Sequence, residues 1–135
     1  MKKRAVAKRV RISDITGGIF KTDEESNRQY LITPFNEEVI RVNIVGIVLE
    51  KFISEMQNYG FIIVNDVSDS IRVKFFHDDL DFIKDIEIGD IVTVVGKVKE
   101  YNGEIYINGE LCRKVDLGLE IKRKNRKNFK IKKRS

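Results

Sequence analysis

A chain of 135 residues with 41% hydrophobic side chains suffices for one small domain with tails, and its single cysteine, Cys112, excludes an intramolecular disulfide and a cysteine-based zinc site. No window approaches the roughly 18 consecutive apolar residues of a membrane span, and MKKRAVAKRV lacks the apolar stretch of a signal peptide, so a soluble cytoplasmic protein is expected. The net charge of +5 is unevenly spread: residues 1–12 carry +6, residues 119–135 carry +8, and residues 13–118 carry −9. Basic ends attract polyanions by releasing condensed counterions, while the plainer role of such blocks is to solubilise.

Residues 13–41 open with the turn signal Gly17-Gly18, pass through the acidic Asp23-Glu24-Glu25, and reach the apolar YLITPF with the only proline, Pro34. The apolar part is expected to pack as an extra strand or arm, with residues 21–29 as a loop. From residue 42 the dominant period is two. In VNIVGIVLEKF (42–52), Val42, Ile44, Gly46 and Val48 share a face, and Gly46 marks a bend or a close backbone approach. The run 59–76 reads as two strands around the polar break Asn65–Ser70, with Ile62 and Val64 on one face of the first and Ile71, Val73 and Phe75 on one face of the second. HDDLDFIKDIEIGD (77–90) changes period: Leu80, Ile83 and Ile86 to Ile88 suit a short helix opened by Asp78 or Asp79 and ended at Gly89-Asp90. In 91–101, Val92, Val94, Gly96 and Val98 repeat the rhythm of the first strand. Asn102-Gly103 signals a type I′ hairpin turn into the last strand, 104–115.

The order is β-β-β-α-β-β, a small barrel over residues 42–115, with 1–41 as a basic N-terminal segment and arm and 116–135 as a basic C-terminal tail. That order suits the five-stranded Greek-key oligonucleotide/oligosaccharide-binding (OB) barrel, whose helix lies between strands three and four. The tail's Leu119, Ile121, Phe129 and Ile131 exceed what a solvating tail needs and suit ordering on nucleic acid or a protein partner.

The stretches RVNIVGIVLEKF, NYGFIIVNDVSDSIRVKFF and IGDIVTVVGKVKEYNGEIYI resemble the single-stranded-DNA-binding barrels of replication protein A, above all the middle-subunit type. With AKRVRISDI and YLITPFNEEVIRV upstream, the sequence is similar to the archaeal replication protein A-associated proteins over roughly residues 5–115. Where relatives often carry an Asp-Asp-Gly-Thr-Gly turn, this chain reads Asn65-Asp66-Val67-Ser68-Asp69-Ser70.

In such barrels ligand crosses strands two and three and the loops joining strands one to two and four to five. Single strands are held by base stacking on aromatics, about 1–3 kcal/mol per base, and by Lys/Arg along the backbone track. If Ile71, Val73 and Phe75 face inward, then Arg72, Lys74 and Phe76 face outward. The resemblance implies that Phe76 and Tyr101 stand where the middle-subunit barrel presents its two base-stacking aromatics. Phe61, out of phase with Ile62 and Val64, suits either the platform or the core. Lys97 and Lys99, out of phase with Val98, suit phosphate contacts. Plainer readings exist for each: Phe76 covered by the helix, Tyr101 folded on its own hairpin, Arg72 and Lys74 as ordinary solvated strand residues. Tyr59, Tyr106 and Phe82 read as packing.

Catalysis is not expected, nor a metal, a cofactor or a small-molecule substrate: His77 is the only histidine, and Gly17-Gly18 lacks the lysine and spacing of a phosphate loop. The primary expectation is single-stranded-DNA binding, alone or with replication protein A subunits, in replication, repair or recombination. The acidic body keeps open a protein-interaction barrel with little DNA binding of its own, and the basic tails would suit an RNA-binding barrel equally.

Overall fold

The computed structural model describes residues 6–115, so the reading of the C-terminal tail falls outside the described residues. Strands β1 (Lys8–Arg9), β2 (Ile19–Asp23), β3 (Arg28–Ile32) and β4 (Glu38–Val39) and helix α1 (Ile12–Thr16) precede the barrel. The barrel strands are β5 (Arg41–Ile53), β6 (Tyr59–Asn65), β7 (Ser70–Phe76), β8 (Ile91–Tyr101) and β9 (Glu104–Lys114). Helix α2 (Asp81–Lys84) lies between β7 and β8. The result is the five-stranded closed barrel with one short helix between its third and fourth strands that the alternation pattern predicts.

Closure depends on the length of β5. Its first half pairs with β8 (Arg41↔Lys97 to Ile47↔Ile91) and its second with β6 (Ile47↔Asn65 to Ile53↔Gly60). A strand serves two neighbours this way only by bending hard, and a Cβ on Gly46 would stand 2.5 Å from the Asn65 carbonyl oxygen. Parallel pairing of β7 with β9 at Val73↔Ile107 and Lys74↔Asn108 completes the ring. The alternating set Val42, Ile44, Val48, Ile62, Val64, Val73, Phe75, Val92, Val94 and Val98 fills the interior. Each such side chain contributes about 1.5–3 kcal/mol on burial.

The N-terminal segment is more ordered than its sequence suggests. β1 runs parallel to β5 (Lys8↔Val42, Arg9↔Asn43). α1, absent from the sequence reading, buries Ile12 and Ile15 completely. Its N-terminus has no local side-chain cap. Instead the Ile12 N–H donates to Asp66 Oδ2 at 2.9 Å, the Ser13 N–H donates to Ser68 Oγ at 3.0 Å, and the Thr16 hydroxyl donates to the Asp69 carboxylate. The glycine-free β6–β7 turn thus satisfies helix donors, at the cost of a left-handed Val67 at φ 80°. Residues 21–29 are mostly strand: β2 and β3 form a hairpin extended by β4, and Leu31 and Val39 are buried beneath it.

The 77–90 segment is shorter in helix than expected. A 3-10 turn at His77–Leu80 leads into the four-residue α2, and neither Asp78 nor Asp79 caps it with its side chain. Leu80 and Ile83 are buried, but Ile88 is exposed. The chain is held at this end by Lys51, whose Nζ donates to the carbonyls of Lys84 (3.0 Å) and Ile86 (2.7 Å). No helix among the described residues is long and apolar enough to cross a membrane.

Candidate nucleic-acid interface

The outer face of β5, β6 and β7 carries a run of aromatic side chains. β6 and β7 pair Tyr59 with Phe76 and Phe61 with Lys74, so residues of equal parity emerge side by side on the solvent face. Phe52 joins them because the register of β5 shifts between Val48 and Glu50, after which Phe52 stands opposite Phe61. A bulge of this kind reverses the phase of the rest of a strand. Ring centroids lie 5.3 Å apart for Tyr59–Phe76, 6.3 Å for Phe52–Tyr59 and for Tyr59–Phe61, and 5.5 Å for Phe52–Phe61, all tilted. Phe52 is 46% exposed and Phe76 39%, so both rings keep a substantial part of their surface open to solvent.

Cations border this surface. The Arg72 guanidinium lies over Phe61 at 4.2 Å from the ring centroid, with Glu104 Oε2 at 3.5 Å from its Nε. Lys74 Nζ stands 4.0 Å from the Tyr106 centroid and 5.7 Å from that of Tyr101. Both contacts are within cation–π range, about 6 Å. Tyr101 is 64% exposed at the end of β8, before a turn in which Asn102 and Gly103 take φ 51° and 82°, the two positive values a type I′ turn requires. Burial pushes the Tyr106 phenol above its ordinary value, with Tyr59 adding to the shift. Lys97 is half-buried on β8, and Lys99 Nζ donates to Gln29 Oε1 of the arm at 3.0 Å.

The structure therefore brings Phe61, Arg72, Lys74, Phe76 and Tyr101 to one side of the barrel, with Tyr101 meeting Lys74 and Phe76 meeting Tyr59. Lys97 and Lys99 are on the β8 side, Lys99 engaged by the arm. The two tyrosines read as packing do pack on neighbours, but outside the core. Tyr59 and Tyr106 lie on the outer face, half-buried, and take part in the aromatic and cation–π contacts above. Parity could have found both, since Tyr59 shares the phase of Phe61 and Tyr106 is flanked by the inward Ile105 and Ile107. Phe82 does pack against the core. Among the described residues no group of three or more His, Cys, Asp or Glu is placed to hold a metal.

The tRNA anti-codon family model, described as an OB-fold nucleic acid binding domain, matches residues 42–115. None of the curated proteins matches the sequence. Among solved structures, the chain is similar to one in the S. pombe Stn1-ten1 complex, with TM-score 0.70 and 22% identity over 87% of this chain and 85% of that one. It is also similar to a chain of a replication protein A heterotrimer bound to single-stranded DNA, with TM-score 0.65 and 17% identity over 88% and 90%. An asparaginyl-tRNA synthetase from Entamoeba histolytica matches with TM-score 0.51 and 13% identity over 59% of this chain and 22% of that one. At these identities the likeness is one of fold.

Proposed function

The chain belongs to the OB-fold nucleic acid binding domain family, and from that premise we propose that it binds single-stranded DNA as a subunit of a replication protein A-type assembly, of the archaeal associated-protein kind, in replication, repair or recombination. The observation that carries this reading is the aromatic surface of Phe52, Tyr59, Phe61 and Phe76, bordered by Arg72 and Lys74. Every base has a π-face, so solvent-exposed rings accept bases of any sequence, while the flanking cations take phosphates. The protein works by binding alone, with no chemistry, cofactor or small-molecule substrate. Phe76 and Tyr101 stack bases, Phe61 extends the platform, and Arg72, Lys74, Lys97 and Lys99 serve the phosphate track.

A second reading makes the chain a protein-interaction subunit that touches DNA weakly. The −9 charge of residues 13–118 favours it, because an acidic body repels phosphate within a Debye length of about 8 Å at physiological salt. The names of two of the fold neighbours, a Stn1-ten1 complex and a heterotrimer, point the same way.

Fluorescence anisotropy with labelled single-stranded DNA, duplex DNA and RNA of one sequence tests the proposal. Preferential single-stranded-DNA binding that is lost with the platform aromatics supports it. Equal affinity for RNA redirects it to an RNA-binding barrel. Binding that survives loss of the aromatics but disappears on deletion of residues 119–135 assigns recognition to the tail instead.

A further inference from the structure

β7 and β9 are in register only at Val73↔Ile107 and Lys74↔Asn108. Ahead of those pairs the strands separate, leaving a cleft of about 350 Å³ whose walls include Ser70, Arg72, Gly103 and Glu104, with Thr16 of α1 at one end. Arg72 and Glu104 face each other across it, Nε to Oε2, at 3.5 Å. That distance is an ion pair, too long for a sound hydrogen bond. The Arg72 Nε is shielded from solvent and makes no hydrogen bond to any described residue. A buried donor without an acceptor costs free energy, about 1–3 kcal/mol for an ordinary group, and calls for an explanation. The same guanidinium also lies over Phe61, 4.2 Å from the ring centroid.

We propose that the Glu104 carboxylate is a built-in competitor for Arg72, occupying loosely the place that a backbone phosphate of a single strand takes when bases stack on the neighbouring exposed rings. This rests on the single-strand reading above. The phosphate is the better partner because its oxygens meet the guanidinium fork two at a time, whereas Glu104 reaches one edge at long range. Glu104 can leave, since its side chain is more than half exposed and sits beside the Asn102-Gly103 turn. Held in place, it screens Arg72 from stray anions. Salt screens the Arg72–Glu104 pair as well as the phosphate contact, so affinity falls less steeply with salt than it would for an unopposed phosphate contact.

A salt series of anisotropy titrations on oligothymidylate, with the full chain, E104Q, R72A and R72A/E104Q, tests the exchange. E104Q is expected to bind about tenfold more tightly at low salt and to steepen the dependence of log K on log salt, and both changes are expected to vanish when Arg72 is absent. An equal gain from E104Q whether Arg72 is present or replaced by alanine reduces Glu104 to a general repulsive charge and overturns the inference, as does no gain at all. The Arg72 Nε–Hε NMR signal of the ligand-free protein is the second readout: it is expected to move in E104Q, and an unmoved signal means the pair does not form. If the parent binds no single strand while the signal moves, the pair stands but both the competitor role and the single-strand reading fail. If the parent binds and E104Q matches it, only the competitor role falls.

Discussion

Arg41 and Glu110 join the first barrel strand to the last through two parallel hydrogen bonds, Arg41 Nε donating to Oε1 at 2.7 Å and an Arg41 terminal nitrogen donating to Oε2 at 2.9 Å. Arg41 is 5% exposed, and the Glu110 hydrogen bond outweighs burial in raising its pKa further. Glu110 lies where the register of β9 against β8 shifts, between the Gly96↔Gly109 and Val95↔Leu111 pairs. The bulge turns this carboxylate toward β5. Glu110→Ala is expected to destabilise the fold by about 3–5 kcal/mol, because it takes a bidentate carboxylate away from a buried guanidinium. Urea denaturation checks this, and Arg41→Met/Glu110→Leu is expected to recover most of the loss.

Acid should weaken the docking of α1 first. Burial pushes the Asp66 carboxyl up, but the Ser68 hydroxyl and the N–H groups of Ile12, Asp69 and Ser68 outweigh it, so its pKa lies below the ordinary value of 3.8. The Asp69 carboxyl is lowered too, first by the Thr16 hydroxyl and then by the Ser70 N–H. A carboxylate with a depressed folded pKa stabilises the fold above its unfolded pKa and loses that contribution as pH falls through the folded one. Stability is therefore expected to be flat at neutral pH and to decline below about pH 4. Asp66→Ala should cost about 2 kcal/mol at pH 7, as for loss of a charged helix cap, and should flatten the acid decline. Thermal melts of both proteins from pH 2 to pH 7 measure it.

Phe76→Ala and Tyr101→Ala are each expected to weaken single-strand binding about tenfold, the loss of one stacked base at 1–3 kcal/mol. Phe52→Ala should weaken it by a similar factor while leaving the barrel intact, since the ring lies on the outer face and fills no part of the interior. Anisotropy against circular dichroism melts separates lost stacking from lost fold.

The barrel interior was legible because alternation along a strand is written in the sequence: Val42, Ile44 and Val48 against the residues between them need no tertiary information. Phe52 was not legible, because the bulge after Val48 inverts the phase and Leu49 carries no mark of it. α1 was hidden for another reason. Its caps come from Asp66 and Ser68, 54 and 55 residues away, so no local N-cap signature exists to be read. The outer-face cations were identifiable by parity, but their partners were not, since Lys74 meets Tyr106 and Tyr101 only once β7 and β9 are side by side.

Cys112 makes a convenient probe. It is buried, and burial, helped by Asp90, pushes its thiol up to about 12. Thiolate is the reactive form, so Ellman's reagent at pH 8 is expected to label the native protein very slowly and the urea-unfolded protein within seconds to minutes. Rapid labelling of the native chain would show that the strand carrying it opens readily.

The separation of β7 from β9 ahead of Val73 and Ile107 also bears on how the molecule breathes. A ring of strands is as durable as its least-bonded junction, and here two registered pairs do the work of closure. Amide protons of Ser70–Arg72 and Glu104–Tyr106 that face this gap are therefore the ones that native-state hydrogen exchange should find opening at the lowest free energy, well below the global value. The barrel would then part like a locket along one side, with the hinge on the opposite wall where β5 is bonded to both β6 and β8.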